Sequence, residues 1–261
     1  VIFFPFFQKS EELMVIWLIG LIIIFSSALL QGLSGFGFSI LAVPLITLIL
    51  PPKTAVPILM LYSIIINVVV LLSAHRHVTL KKNWLLLLSG IICLPIGTHF
   101  LIILDGNLIK IFIGIFIIIF GFLLLMGYRK ELKHEKAAMI PIGLISGILG
   151  GSISISGPPI IIFLANKQSD KQTFRGNLAM YFLLLNIFTI PVFWLNGLFT
   201  REVLTFSFRY LPGLLIGVIL GNSLSHKVNE TSFRRFVLIL LLAMGGLAVG
   251  SGLSYLLHLK V

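Results

Sequence analysis

The sequence predicts an all-α polytopic membrane protein of two inverted repeats, each a glycine-rich broken-helix hairpin followed by three transmembrane helices. Three observations predict this: apolar runs long enough to cross a bilayer, an internal repeat that keeps its order along the chain, and a one-sided distribution of loop charge.

The apolar runs come first. Of 261 residues, 58% are hydrophobic and 10% charged, and runs near the roughly 20 residues that cross a bilayer recur throughout. They are Leu13–Leu30, Ala55–Leu72, Leu85–Leu104, Leu108–Gly127, Gly176–Phe199, Val203–Leu224 and Phe233–Leu257, joined by short polar loops. Residues 1–12 are given no fold. Residues 13–127 form the first membrane repeat, 128–138 a cytoplasmic basic loop, and 139–261 the second repeat.

The repeat is found by sliding LLQGLSGFGFSILAVPLI, from Leu29, onto LISGILGGSISISGPPII, from Leu144, a shift of 115. Gly32 then meets Gly147, Gly35 meets Gly150, Ser39 meets Ser154 and Pro44 meets Pro159. Matched leucines mean little in this composition; coincident glycines, serine and proline mean more. Farther along, Tyr62 and Asn67 meet Tyr181 and Asn186 at a shift of 119, and Gly97 meets Gly221 at 124.

Loop charge orients the halves, because lysine and arginine collect on the cytoplasmic side. If Leu13–Leu50 and Met139–Ala165 each enter and leave on one side as hairpins, four loops face the cytoplasm: 75–83, 128–136, 167–175 and 226–235. Those loops carry 13 of the 19 lysines and arginines. The loop after Ala74 is then inside and its repeat mate near Arg201 outside, so the halves are inverted.

GGSISISGPP, Gly150 to Pro159, is poor material for an uninterrupted helix, since glycine costs backbone entropy and an interior proline removes a hydrogen bond. In hydrocarbon, broken backbone is tolerated only when buried in protein or lining a cavity. Broken helices at a repeat interface are where secondary transporters bind substrate. Close packing of small residues is the competing account. For Gly121, Gly245 and Gly246, in otherwise intact runs, packing is the expectation; for the matched breaks it is binding.

All eight acidic residues fall in loops or at helix ends, which leaves no membrane carboxylate for a cation pump or proton relay. Serine hydroxyls, free amides and the positive N-terminal ends of restarting half-helices remain, and these suit an anion. The expected contacts are Gly35, Gly37 and Ser39 in the first break, and Gly151, Ser152, Ser154, Ser156 and Gly157 in the second. Tyr62, Tyr181, Asn67 and Asn186 are further candidates, the asparagines either donating amide hydrogens to an oxyanion or bonding between helices. Arg175 offers a charged planar fork at the cytoplasmic start of its helix, with the positive-inside rule as the alternative account. His99 and Arg209 are expected to snorkel or pair locally.

GLISGILGGSISISGPPIIIFL, then FRGNLAMYFLLLN, with the weaker first-half QGLSGFGFSILAVPLI, resembles the sulfite exporter TauE/SafE family of multipass permeases. The resemblance covers nearly the whole chain. It implies transport of sulfite, sulfonates or related small sulfur-containing organic anions across a bacterial plasma (inner) membrane.

Other classes fit less well. The net charge of +11 is spread among loops rather than gathered in a stripe, so no nucleic acid is expected. Cys93 is the only cysteine, and His75 and His77 lack the rest of a coordination shell, so neither metal nor other cofactor is expected. A lipid-modifying membrane enzyme would need a nucleophile with a base nearby, and none is evident. The expected function is a secondary carrier of a small oxyanion, with a passive anion channel as the alternative. The expected partners are a small anionic substrate and the lipid bilayer; self-association into a homo-oligomer stays open.

Overall fold

The computed structural model describes residues 4–79, 83–125, 135–165 and 170–225. These fold into α1 (Phe4–Ser34), α2 (Phe38–Ile49), α3 (Pro52–Ala74), α4 (Trp84–Ile103), α5 (Gly106–Leu125), α6 (Glu135–Ile153), α7 (Gly157–Ala165), α8 (Lys171–Leu195) and α9 (Arg201–Leu224), with no strand among the described residues. Six of them, α1, α3, α4, α6, α8 and α9, are long and apolar enough to cross a membrane. The chain is a multi-pass membrane protein. The run Phe233–Leu257, the loop 226–235, Gly245 and Gly246 lie outside the described residues. Helix α1 begins at Phe4, so helix runs through most of the segment given no fold, and α6 begins at Glu135, inside the stretch expected to be loop.

Local chemistry sets the helix starts. Asp170 caps α8 by accepting from the Gln172 and Thr173 amides, both at 3.0 Å, and Thr200 caps α9 by accepting from Val203 at 3.2 Å. Pro52 opens α3, where its missing N–H is no loss.

Contacts fix the helix directions. Gly32 of α1 lies against Gly221 of α9, and Gly20 against Tyr210, so α1 and α9 run parallel. Tyr62 of α3 bonds the Ser207 carbonyl and Ser73 bonds Asn222, so α3 runs with them. Gly90 faces Gly147 while Gly97 faces Ile148 and Gly151, so α4 and α6 are parallel; Ser146 and Gly150 meet Tyr181 and Leu185, so α8 shares their direction. The two trios oppose each other. Asn177, near the start of α8, bonds the Thr79 amide just beyond α3, and Lys53 at the start of α3 bonds the Ile102 carbonyl near the end of α4. The ends of α3 and α9 and the starts of α4, α6 and α8 therefore share one end of the bundle, and in sequence the four basic loops adjoin those termini.

Two helix pairs pack most closely. In the α1–α9 contact a Cβ at Gly32 would lie 2.7 Å from the Val218 oxygen, 2.7 Å from the Asn222 nitrogen and 2.9 Å from the Gly221 Cα. In the α4–α6 contact a Cβ at Gly151 would lie 2.5 Å from the Leu94 oxygen, 2.9 Å from the Thr98 nitrogen and 3.2 Å from the Gly97 carbon. The three partners correspond one for one at the shift of 124 that aligns Gly97 with Gly221. Gly32 is thus the packing counterpart of Gly151, not of Gly147, and the shift of 119 already holds in the first arms. The register read from the sequence was one helical turn off there, because glycines recur four residues apart in α6, close to the helical period.

Large apolar side chains such as Ile92, Phe122, Trp194 and Phe208 are exposed around the outside. In a bilayer they meet lipid rather than water.

Candidate functional site

Both breaks are made in the same way. At the end of α1, Gly35 takes φ 84° and its amide donates to the Gln31 carbonyl at 2.7 Å; at the end of α6, Ser154 takes φ 57° and its amide donates to the Gly150 carbonyl at 3.1 Å. Each is a left-handed residue closing a helix C-terminus. Residues 35 and 154 differ by 119, the register of the packing glycines. Gly37, at φ 105°, then turns the chain into α2. In the second break the turn is followed by Pro158 and Pro159, which fall in the first turn of α7, where backbone N–H groups have no helical partner to lose. Helices α2 and α7 restart as pieces of 12 and nine residues, too short to span. Gly150 itself is helical, so within the stretch Gly150–Pro159 the backbone breaks at Ser154.

The breaks meet at a small, partly open cavity. Gln31, Phe36, Gly37, Ser39 and Ile40 line it from the first hairpin, and Ser154, Ile155, Ser156, Gly157 and Ile161 from the second. Ser63, at the midpoint of α3, and Phe182 of α8 complete the wall. Four serines and one glutamine line it, and no charged residue is among its lining residues.

A buried polar chain holds this wall. Phe38 N–H donates to Gln31 Oε1 at 3.0 Å, Gln31 Nε2 to Asn67 Oδ1 at 3.0 Å, and Asn67 Nδ2 to the Ser63 carbonyl at 2.7 Å and its hydroxyl at 3.0 Å. Asn186 Nδ2 donates to the same hydroxyl at 2.9 Å. On the other side the Tyr181 hydroxyl donates to Ser146 Oγ at 3.0 Å, and Ser146 donates to the Ser156 carbonyl at 2.8 Å. Each break is braced by a polar residue of its own first arm. Partnering these groups matters because an unmet buried polar atom costs about 1–3 kcal/mol.

Of the residues expected from sequence, Gly37, Ser39, Ser154, Ser156 and Gly157 line the cavity. Asn67 and Asn186 are buried and act one bond away, through Ser63; Tyr181 acts through Ser146. Gly151 packs on α4, and the Ser152 hydroxyl donates back to the Ile148 carbonyl of its own helix at 2.7 Å, so neither is among the lining residues. Arg175 is fully buried beneath the first break, its side chain against Gly35. It donates to the Gly32 carbonyl at 2.9 Å, Asn222 Oδ1 at 3.0 Å and Ser225 Oγ at 3.2 Å, and it is not among the lining residues. His99 and Arg209 are exposed on the outer faces of α4 and α9. Gln31, Ser63 and Ser146 were missed from sequence, although Ser63 stands one turn before Asn67 on the same helical face. Among the described residues no cluster of metal-ligating side chains occurs.

A family model described as Sulfite exporter TauE/SafE matches residues 19–247. No curated protein and no solved structure matches the chain.

Proposed function

The chain belongs to the sulfite exporter TauE/SafE family, and on that premise we propose that it is a secondary carrier of a small oxyanion, sulfite or an organosulfonate, working by alternating access. The observation that carries this reading is the cavity between the two breaks, with serines and no charge of either sign among its lining residues. A cation would find no carboxylate there. An anion finds serine hydroxyls and the amides at the start of α2, at the positive end of that helix.

Alternating access follows from two inverted repeats. Matched helices α1 and α6, α3 and α8, and α4 and α9 run in opposite directions, which supports the inversion. Each hairpin is clamped to a helix of the other repeat, α1 to α9 and α6 to α4. The two clamped units rock about the central α3 and α8, and the cavity between them opens first to one side and then to the other. The end flanked by the basic loops is cytoplasmic, the membrane is the bacterial plasma membrane, and the direction is export.

Purified protein heated with sulfite, sulfate, methanesulfonate, acetate or chloride tests the substrate class. A ligand of the folded form at a hundredfold excess over its Kd adds about 2.7 kcal/mol. Sulfite and methanesulfonate raise the melting temperature and acetate and chloride do not. Equal response to every anion, or to none, contradicts the reading.

A further inference from the structure

Ser63 lines the cavity, and its hydroxyl takes its hydrogen bonds from residues that do not. The polarity of Gln31 and Asn67 is set by two backbone groups. The Phe38 N–H can only donate, which makes the facing Gln31 atom an oxygen; the Ser63 carbonyl can only accept, which makes the facing Asn67 atom a nitrogen. Asn67 Nδ2 therefore donates to the Ser63 hydroxyl, and Asn186 Nδ2 donates to it from the other repeat. A serine oxygen has two lone pairs, and two amides fill them. Its proton is what remains. Many hydroxyls in these helices give their proton to a carbonyl one turn back, as Ser26, Ser89 and Thr98 do. Ser63 makes no such bond among the described residues, and the residue, 8% exposed, lines the cavity.

We propose that Ser63 is the central hydrogen-bond donor of the cavity, locked in that role by Asn67 and Asn186, so that the site takes ligands through bare oxyanion oxygens and gives no acceptor to N–H or O–H groups at that point. The inference rests on the carrier reading above and adds a selectivity mechanism to it. Ser63 touches the ligand; the two asparagines are positioning residues, one from each repeat. Nothing ionisable is needed. A donor-only hydroxyl discriminates between ligand faces because a donor group brought against it stays unpaired, and an unpaired buried polar group is expensive.

Two anions of nearly the same shape make the test: methanesulfonate, which only accepts, and sulfamate, which carries N–H donors in place of the methyl hydrogens. Dissociation constants are measured by titration calorimetry on the purified full chain. Ser63→Ala loses roughly tenfold or more toward both anions, about 1.4 kcal/mol, while Ser63→Thr, which keeps the hydroxyl, stays within about threefold. Asn186→Ala frees one lone pair of Ser63, so sulfamate gains relative to methanesulfonate; damage to the fold alone would weaken both in proportion. The proposal is overturned if Ser63→Ala binds both anions as tightly as the parent. It is also overturned if Asn186→Ala leaves their ratio unchanged, a readout that decides the matter even where Ser63→Ala does not fold. A parent that binds neither anion nor sulfite would sink the carrier reading itself, a result distinct from either.

Discussion

Gly150 and Gly151 are neighbours in sequence, yet the same substitution separates them. A methyl group added at Gly151 would sit 2.5 Å from the Leu94 carbonyl oxygen and 2.9 Å from the Thr98 amide nitrogen, both backbone of α4. Comfortable separations for such atoms are closer to 3.5 Å, so α4 and α6 must part by about 1 Å or distort. Overpacking of this kind costs about 1–3 kcal/mol. At Gly150 the nearest atoms are Ser156 Cβ at 3.3 Å and a Leu185 methyl at 3.4 Å, so the neighbours must give by only a few tenths of an ångström. Both variants gain helix propensity of up to about 1 kcal/mol over glycine. Gly150→Ala is therefore expected to be neutral or slightly stabilising and Gly151→Ala destabilising, with a gap between them of about 1–3 kcal/mol. Thermal unfolding in detergent reads that gap as about 2–10 °C. Gly32→Ala, the packing counterpart in α1, should fall with Gly151→Ala. Equal melting temperatures for the Gly150 and Gly151 variants, or the reverse order, would refute the close α4–α6 contact and the register drawn from it.

Two further outcomes follow from the same packing. Arg175→Lys loses the fork that reaches Gly32, Asn222 and Ser225 together; it should lower stability by about 2–4 kcal/mol while the folded fraction binds substrate within about threefold of the parent, and a stable variant with tenfold weaker binding would return Arg175 to the ligand. In a Cys93→Ser background, exposed Arg76→Cys and Asn196→Cys sit beyond opposite ends of the bundle; a membrane-impermeant reagent on intact cells should label only the second, and labelling of the first would reverse the proposed orientation.

Much of this was legible in the residues. Glycine, serine and proline crowded together in an apolar run point to a backbone break there, and in hydrocarbon such a break must be buried in protein or line a cavity. The cavity contacts Gly37, Ser39, Ser154, Ser156 and Gly157 followed from that alone. Register was harder. A four-residue slip along a helix turns a side chain by only about 40°, so Gly147 and Gly151 both look like mates for Gly32, and chance coincidences at Ser39 and Pro44 favoured the wrong one. Arg175 was ambiguous for a different reason: a guanidinium at a helix start satisfies substrate, topology and packing accounts equally, and only the carbonyl of Gly32 and the missing side chain at Gly35 identify its socket. Ser63 and Gln31 carry no sequence signal of comparable strength, since a lone serine or glutamine in a membrane helix bonds its own backbone or a neighbour as readily as it borders a cavity.

Counterflow in proteoliposomes tests the carrier most directly, since only a site that opens to one side at a time exchanges solute across the membrane one for one. Vesicles holding the purified chain and loaded with unlabelled sulfite are diluted into a trace of radiolabelled sulfite. A transient accumulation of label above its equilibrium level is the expected result, abolished when the trapped sulfite is omitted and strongly reduced in Ser63→Ala. Passive equilibration without overshoot, at a rate indifferent to the trapped pool, would contradict alternating access and make the cavity part of a channel.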